Sequence, residues 1–330
     1  MFGLRRPRKA ADQADTGGRL PPGVALLPRP DPESTLRRLE WTVLRRLDGL
    51  LQGDYRTMFR GFGIDLADLR EYQPHDDVRY IDWNVTARLQ TPYVREFMED
   101  REVAAWFLLD LSGSVDFGSQ NIRKRALSTD LVAILARLLT RYGNRVGAVL
   151  YSDGVDHVIP ARCGRRHVLH LLDQMGQHAE VEGANETDLV KLIERAHSAI
   201  KRRSVIFVVS DFISKPGWGK ALAQLATRHE IIAVRLYDPL EVELPDLGLV
   251  VLQDAETGEQ MFVDTHDGGF RKRFAEAAVQ REQQLRAALA GAGVDCLELA
   301  TDDRLDEALL RFTKLRKRRS QLAAGGGLVR

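Results

Sequence analysis

Two rhythms of apolar and polar positions alternate along the chain. In ESTLRRLEWTVLRRLDGLL, Leu36, Leu39, Val43, Leu44 and Leu47 recur at three- and four-residue spacing behind an Asp31-Pro32 start signal, which predicts a helix ending near Gly53. Residues 54–103 lose that spacing, are rich in aromatic and charged side chains, and are broken by Pro74 and Pro92, so short strands and turns are expected. At 104 the pattern changes. AAWFLLDLSGS is an unbroken apolar run closed by small polar residues, and IRKRALSTDLVAILARLLTRYG then places Leu127, Leu131, Ile134, Leu135, Leu138 and Tyr142 at helical spacing before Gly143. RVGAVLYSD and VDHVIPA read as two strands around Asp153-Gly154, and SVIFVVSDF, IIAVRLYDP and VDCLELAT as three more. Helical patterns fill the intervals in RRHVLHLLDQM, TDLVKLIERAHSAI, GKALAQLATRHE and RKRFAEAAVQREQQLRAALAGAG, and DRLDEALLRFTKL comes last.

Strands with continuous apolar cores alternating with amphipathic helices predict an α/β fold, a mostly parallel sheet with helices on both faces. The predicted organisation has four parts. Residues 1–30, with Arg5, Arg6, Arg8, Lys9 and several Gly and Pro, cannot bury apolar surface and are expected to form a disordered tail. Residues 31–103 form an N-terminal helix and a small β-rich lobe, whose Tyr, Trp and Arg residues either pack on the next domain or face a partner. Residues 104–311 form the α/β domain, interrupted at 241–265 by a predicted β-hairpin turning near Thr257-Gly258. Residues 312–330, carrying Lys314, Arg316, Lys317, Arg318 and Arg319 before AAGGG, are expected to be a basic flexible tail.

Composition narrows the function classes. The chain has 330 residues, 44% hydrophobic and 29% charged, with 48 Lys+Arg against 47 Asp+Glu. A near-neutral chain is a poor candidate for nucleic acid as its main ligand, since phosphate binding needs clustered cations. Cys163 and Cys296 lie far apart with no CxxC pairing, which argues against a disulfide framework or thiolate zinc and fits a reducing compartment. No apolar run approaches the roughly 20 residues of a membrane span, and no apolar segment follows the N-terminal basic residues as in a signal peptide. Cytoplasmic location is expected.

In parallel α/β sheets, ligands bind beyond the carboxyl ends of the strands. Three such places present oxygen ligands: Asp110, Ser112 and Ser114 in DLSGS, Thr187 before the helix at 188, and Asp211 after the strand at 205–209. All are hard oxygen donors. They suit a six-coordinate divalent cation, Mg²⁺ or Mn²⁺, held by few protein groups plus waters. Capping of the following helix by the same residues is the plainer alternative.

The D-x-S-x-S string, followed in order by Thr and Asp, resembles the metal-ion-dependent adhesion site of von Willebrand factor A domains, and the order of elements over 104–311 resembles that Rossmann-like fold. A second resemblance covers more of the chain. Residues 69–83, LREYQPHDDVRYIDW, placed before the DLSGS strand, are similar to the hallmark of the bacterial family called domain of unknown function fifty-eight, with His75 standing where that family usually has Gly. The insertion DPLEVELPDLGLVVLQDAETGEQMFVDT resembles the family's as well. These resemblances imply a non-enzymatic interaction module in which Ser112, Ser114 and Thr187 ligate the metal directly while Asp110 and Asp211 hold metal-bound waters. They also imply partnership with a MoxR-type AAA+ ATPase in assembly or maturation of other proteins, with a client protein donating an acidic residue to the open coordination position.

Other readings fare less well. A metal-dependent phosphohydrolase of the aspartyl type needs an acid two residues after the nucleophilic Asp, and Ser112 stands there. The sequence has no GxSxG, HExxH, GxxxxGK[ST] or GxGxxG motif. His167 and His170 have a spacing that suits zinc, with His178 beyond, but no helical Glu completes a set. Lys201-Arg202-Arg203 and the basic tails leave a nucleic-acid-associated adaptor as a further alternative.

Overall fold

The computed structural model describes residues 2–5, 31–44, 47, 68–73, 78, 81, 83, 86–87, 90–96, 104–116, 118, 123–141, 143–152, 155–177, 187–254 and 260–325. The expected helix stop near Gly53, the turns at Asp153-Gly154 and Thr257-Gly258, His75 and His178 lie outside the described residues.

The chain's apolar runs become the strands of one six-stranded sheet. In chain order the described strands are β1 (Phe2–Arg5), β2 (Asp68–Glu71), β3 (Tyr93–Glu96), β4 (Ala104–Asp110), β5 (Val146–Tyr151), β6 (Val155–Arg162), β7 (Ser204–Ser210), β8 (Glu230–Tyr237), β9 (Leu249–Asp254), β10 (Gln260–Asp264) and β11 (Asp295–Ala300). The helices are α1 (Pro32–Leu39), α2 (Lys124–Arg141), α3 (Arg165–Gln177), α4 (Leu189–Ala199), α5 (Trp218–Ala226), α6 (Gly268–Gly291) and α7 (Leu305–Gly325). The large sheet has the order β11-β8-β7-β4-β5-β6. All its pairings are parallel except β5 with β6, which closes one edge antiparallel. This is the predicted Rossmann-like, von Willebrand factor A-like arrangement.

Alternation along each strand divides the core in two. Phe107, Leu109, Val205, Phe207, Val209, Val234 and Leu299 face α1, α2, α3 and α7, whereas Trp106, Leu108, Ile206, Val208 and Ala233 face α4, α5 and α6. Each large side chain so buried contributes about 1.5–3 kcal/mol. α2 is apolar on nearly every side, with Leu131, Ile134, Leu135, Leu138 and Leu139 all buried, because α1 covers the face that the sheet does not. Arg38 pairs with Asp130 at 2.7 Å, Arg137 with Glu40 at 2.5 Å, and Arg165 with Glu33 at 2.9 Å, pinning α1 across α2 and α3. Gly147 in β5 permits a close approach: a Cβ there would meet Trp106 at 2.8 Å and the Ala161 backbone nitrogen at 3.0 Å.

Outside the large sheet, β2 pairs antiparallel with β3, the small β element expected in 31–103. β9 and β10 form the predicted hairpin inside 241–265. Two expectations about the ends are corrected. Phe2–Arg5, placed in a disordered tail, forms β1 antiparallel to β9, because the hairpin offers it a free strand edge. The basic segment from 312, expected to be a flexible tail, continues α7 to Gly325. Phe312 and Thr313 are buried, Arg316 bonds Asp295 at 3.0 Å and also pairs with Glu230, and Arg319 pairs with Asp295. Carboxylates at the starts of β8 and β11 thus hold a run whose sequence alone looks solvated. Among the described residues no helix is long and apolar enough to cross a membrane.

Candidate functional site

β4 and β7 are adjacent and parallel, so their carboxyl ends deliver Asp110 and the Ser210-Asp211 pair to one edge of the sheet. Asp110 is completely buried. Its Oδ1 accepts hydrogen bonds from the Ser112 backbone N–H at 3.0 Å and from Ser112 Oγ at 2.6 Å, while Oδ2 accepts from Ser210 Oγ at 2.6 Å. The first two bonds close an Asx turn. That turn, leading into the 3₁₀ turn Gly113–Asp116, brings Ser112 Oγ and Ser114 Oγ to 3.2 Å from one another. Arg125 Nη2 donates to the Leu111 carbonyl at 2.8 Å, and the Leu111 N–H donates to the Tyr151 carbonyl at 2.7 Å, so the loop is held from both sides.

The second carboxylate is held by a strained turn. Asp211 Oδ1 accepts from the Ile213 N–H at 3.0 Å, and Ser210 Oγ accepts from the Phe212 N–H at 2.9 Å. Phe212, between them, sits at φ 59°, in the left-handed region that a side chain rarely enters. Such a conformation costs on the order of 1–3 kcal/mol, and strained residues of this kind concentrate at functional loops. Packing of its ring on Trp218, with centroids 5.2 Å apart, supports it. Thr187 is buried on the neighbouring connection, and its carbonyl accepts from the Lys215 N–H at 3.0 Å and from Ser214 Oγ at 3.0 Å. These bonds tie its loop to the one that follows Asp211. The Asp188 N–H donates to the Tyr151 hydroxyl at 3.0 Å, anchoring the same loop to β5.

All five residues named from the sequence are buried, with Asp110, Ser112, Ser114 and Asp211 on the loops that leave β4 and β7. The hydrogen bonds join Asp110, Ser112 and Ser114 directly, and the charge of Asp211 acts on Asp110. Thr187 reaches the group through its backbone and the 214–215 segment.

The structure adds two ionic groups that sequence reasoning missed. Lys124, the first residue of α2, is completely buried, and its Nζ lies 2.9 Å from Asp211 Oδ2 and 2.9 Å from Glu241 Oε1. Glu241 closes a 3₁₀ turn after β8, capped by Asp238, whose Oδ2 accepts from Thr301 Oγ1 at 2.7 Å. The one sequence hint is that Lys124 stands at a helix N-terminus, where the macrodipole disfavours a cation unless carboxylates compensate. Burial opposes the Lys124 charge, but Asp211 and Glu241 outweigh it and hold the ammonium above its ordinary value. Burial pushes the Glu241 carboxyl up against the pull of Lys124. Among the described residues no cation pairs with Asp110. Burial, then the charge of Asp211, push it up to about 6, against the bonds from Ser112 and Ser210.

Among the described residues no three His, Cys, Asp or Glu side chains form a metal-binding group, so any cation site here depends on hydroxyls. His167 is a satisfied core residue, with Nε2 2.7 Å from the Val146 carbonyl oxygen.

The sheet order and the loops at its carboxyl edge define a von Willebrand factor A-like α/β domain. The sequence of residues 68–284 matches the model of the family described as protein of unknown function DUF58, and the chain belongs to that family. It is 37% identical over 285 residues to uncharacterized protein Rv1480 of Mycobacterium tuberculosis, covering 86% of this chain and 90% of that one. It is 35% identical over 160 residues to uncharacterized protein MAV169 of Mycobacterium avium, covering 48% of this chain and 94% of that one. Among solved structures it is similar to the conserved hypothetical protein BatB from Bacteroides thetaiotaomicron, at 13% identity and a TM-score of 0.40, covering 66% of this chain and 99% of that one. An aerotolerance-related membrane protein from Bacteroides fragilis matches at 12% identity and a TM-score of 0.43, with the same coverage. The SpRpn10 VWA domain matches at 14% identity and 0.36, covering 63% of this chain and 93% of that one.

Proposed function

We propose that this protein is a non-enzymatic protein-interaction module that takes up a divalent cation, Mg²⁺ or Mn²⁺, at Asp110, Ser112, Ser114, Thr187 and Asp211. The observation that carries this reading is a charge imbalance. Among the described residues, Asp110, Asp211 and Glu241 bring three carboxylates to this edge, and the ammonium of Lys124 pairs with Asp211 and Glu241 but not with Asp110. Buried charge of that kind is costly unless neutralised. A divalent cation has the sign that offsets the acid left without an ammonium.

The donor set fits. Ser112 Oγ and Ser114 Oγ stand 3.2 Å apart, a separation compatible with two neighbouring ligands on an ion that prefers oxygens at about 2.0–2.1 Å. Asp110 orients Ser112 through its Oδ1, and Ser210 fixes the other carboxylate oxygen. Lys124 engages Asp211 Oδ2, which favours a role for Asp211 through water and not by direct ligation. A bound cation would supply an open coordination position for a carboxylate of a partner protein. Catalysis is disfavoured because Ser112, not an acid, stands two residues after Asp110, and it is spent on holding Asp110.

The family resemblance supplies the partner class, a MoxR-type AAA+ ATPase acting with this chain on an acidic client. Calorimetric titration of the EDTA-stripped protein with Mg²⁺ and Mn²⁺, followed by pull-down of a purified MoxR-type ATPase, tests both parts. Saturable binding abolished by Ser114→Ala, and metal-dependent capture of the ATPase, are expected. Absence of cation binding refutes the site, and equal capture by the Asp110→Ala protein in EDTA refutes the mechanism.

A further inference from the structure

Beside Asp211 the loop after β7, helix α5 and helix α6 enclose a cavity of about 520 Å³, within the range of roughly 300–1,000 Å³ typical of ligand sites. Phe212 and Trp218, both mostly buried, and Leu285 and Ala288 from α6 form the apolar part of its lining, beside Asp211, Arg235 and Glu241. The two helices meet closely here, since a Cβ at Gly219 would lie 3.3 Å from Ala288 Cβ. Lys220 and Arg281 stand exposed among its lining residues.

Those two cations differ from their neighbours. Along α6, Arg271 pairs with Asp246, Lys272 with Glu276, Arg273 with Asp267, and Arg286 with Glu282 and Glu298. Even Arg235, at the back of the cavity, is held by Glu282. Lys220 and Arg281 have no carboxylate partner among the described residues. Two uncompensated cations beside apolar lining are complementary to an apolar side chain flanked by acids.

We propose that this cleft binds an extended segment of a partner protein in which acidic residues flank an aliphatic side chain, the aliphatic group against Leu285 and Ala288, the carboxylates on Lys220 and Arg281. Asp211 and Glu241 also line the cleft, but both are paired with Lys124, whereas Lys220 and Arg281 are exposed and lack a carboxylate partner among the described residues; the ATP probe separates a nucleotide from an acidic peptide. The proposal rests on the interaction reading of this sheet edge, but it does not need the cation.

The test uses the full chain and a fluorescein-labelled, amidated peptide, Glu-Asp-Leu-Leu-Asp-Glu, with a Lys-Lys-Leu-Leu-Lys-Lys control and ATP as a third probe, read by anisotropy and calorimetry with and without EDTA. The acidic peptide should bind in both conditions, more weakly as salt rises. The Lys220→Glu, Arg281→Glu double variant should weaken it about tenfold or more and turn preference toward the basic peptide. Its thermal midpoint should stay near that of the parent, since both side chains are exposed. Binding that EDTA or Asp110→Ala abolishes while the double variant retains it would place the peptide at the cation site and overturn the cleft. Binding of ATP without the acidic peptide, or of neither, would overturn it too. If the cation reading fails and the peptide still binds in EDTA, the cleft stands alone.

Discussion

Replacing Asp110 by Asn should make the metal-free protein more stable at neutral pH, although the residue lies at the centre of the candidate site. In the folded chain burial, then the charge of Asp211, raise Asp110 from 3.8 to about 6. A group whose pKa is raised on folding contributes stability that is complete below its unfolded value and is lost as pH rises through its folded value. At pH 7.5 the ionised carboxylate therefore costs on the order of 3 kcal/mol, from a gap of about two units at 1.36 kcal/mol each. At pH 4, near the unfolded value, the same linkage leaves only about 0.5 kcal/mol. The amide keeps one acceptor oxygen and forfeits one hydrogen bond, worth about 1 kcal/mol. The Asp110→Asn protein should thus be about 2 kcal/mol more stable than the parent at pH 7.5 and about 0.5 kcal/mol less stable at pH 4. Urea denaturation of both proteins in EDTA at the two pH values measures this crossover. A variant that is less stable at pH 7.5, or a difference that does not change with pH, would refute the reasoning.

Lys124→Met should act in the opposite sense, costing about 3–5 kcal/mol at neutral pH because Asp211 and Glu241 are left buried without their cation. Denaturation at lower pH should recover part of that loss as Glu241, whose pKa is raised in the parent, takes up a proton. Gly147→Ala should cost about 1–3 kcal/mol through the contact its Cβ makes with Trp106, and a Trp106→Phe background should return some of it in the same assay.

Much of the site was legible because its residues sit at predictable places. DLSGS closes the first apolar run of the domain and Asp211 closes the most apolar one, and parallel strands must present such ends at a common edge. The hairpin at 249–264 and the helices around the sheet followed from the same periodicities. Lys124 was not legible. In RKRAL it is one cation among three, and periodicity gives it no reason to point inward. It is buried because Asp211 comes from a strand 87 residues later and Glu241 from the turn after β8. The ends were misjudged for a related reason. Phe2–Arg5 and the basic run after 312 have compositions that suggest solvent, but β9 offers one a strand edge and Glu230 and Asp295 offer the other carboxylates.

Local chemistry and periodicity by themselves determined the α/β class and the order of elements, and the LREYQPHDDVRYIDW stretch carried the resemblance to the family. Only the tertiary structure decided how charge is placed at the carboxyl edge of the sheet, since burial and distant partners, not neighbours in sequence, pair Lys124 with Asp211 and Glu241 and leave Asp110 without a cation partner among the described residues. Coulomb energy depends on distance in space and on the water excluded, and neither quantity is written along the chain.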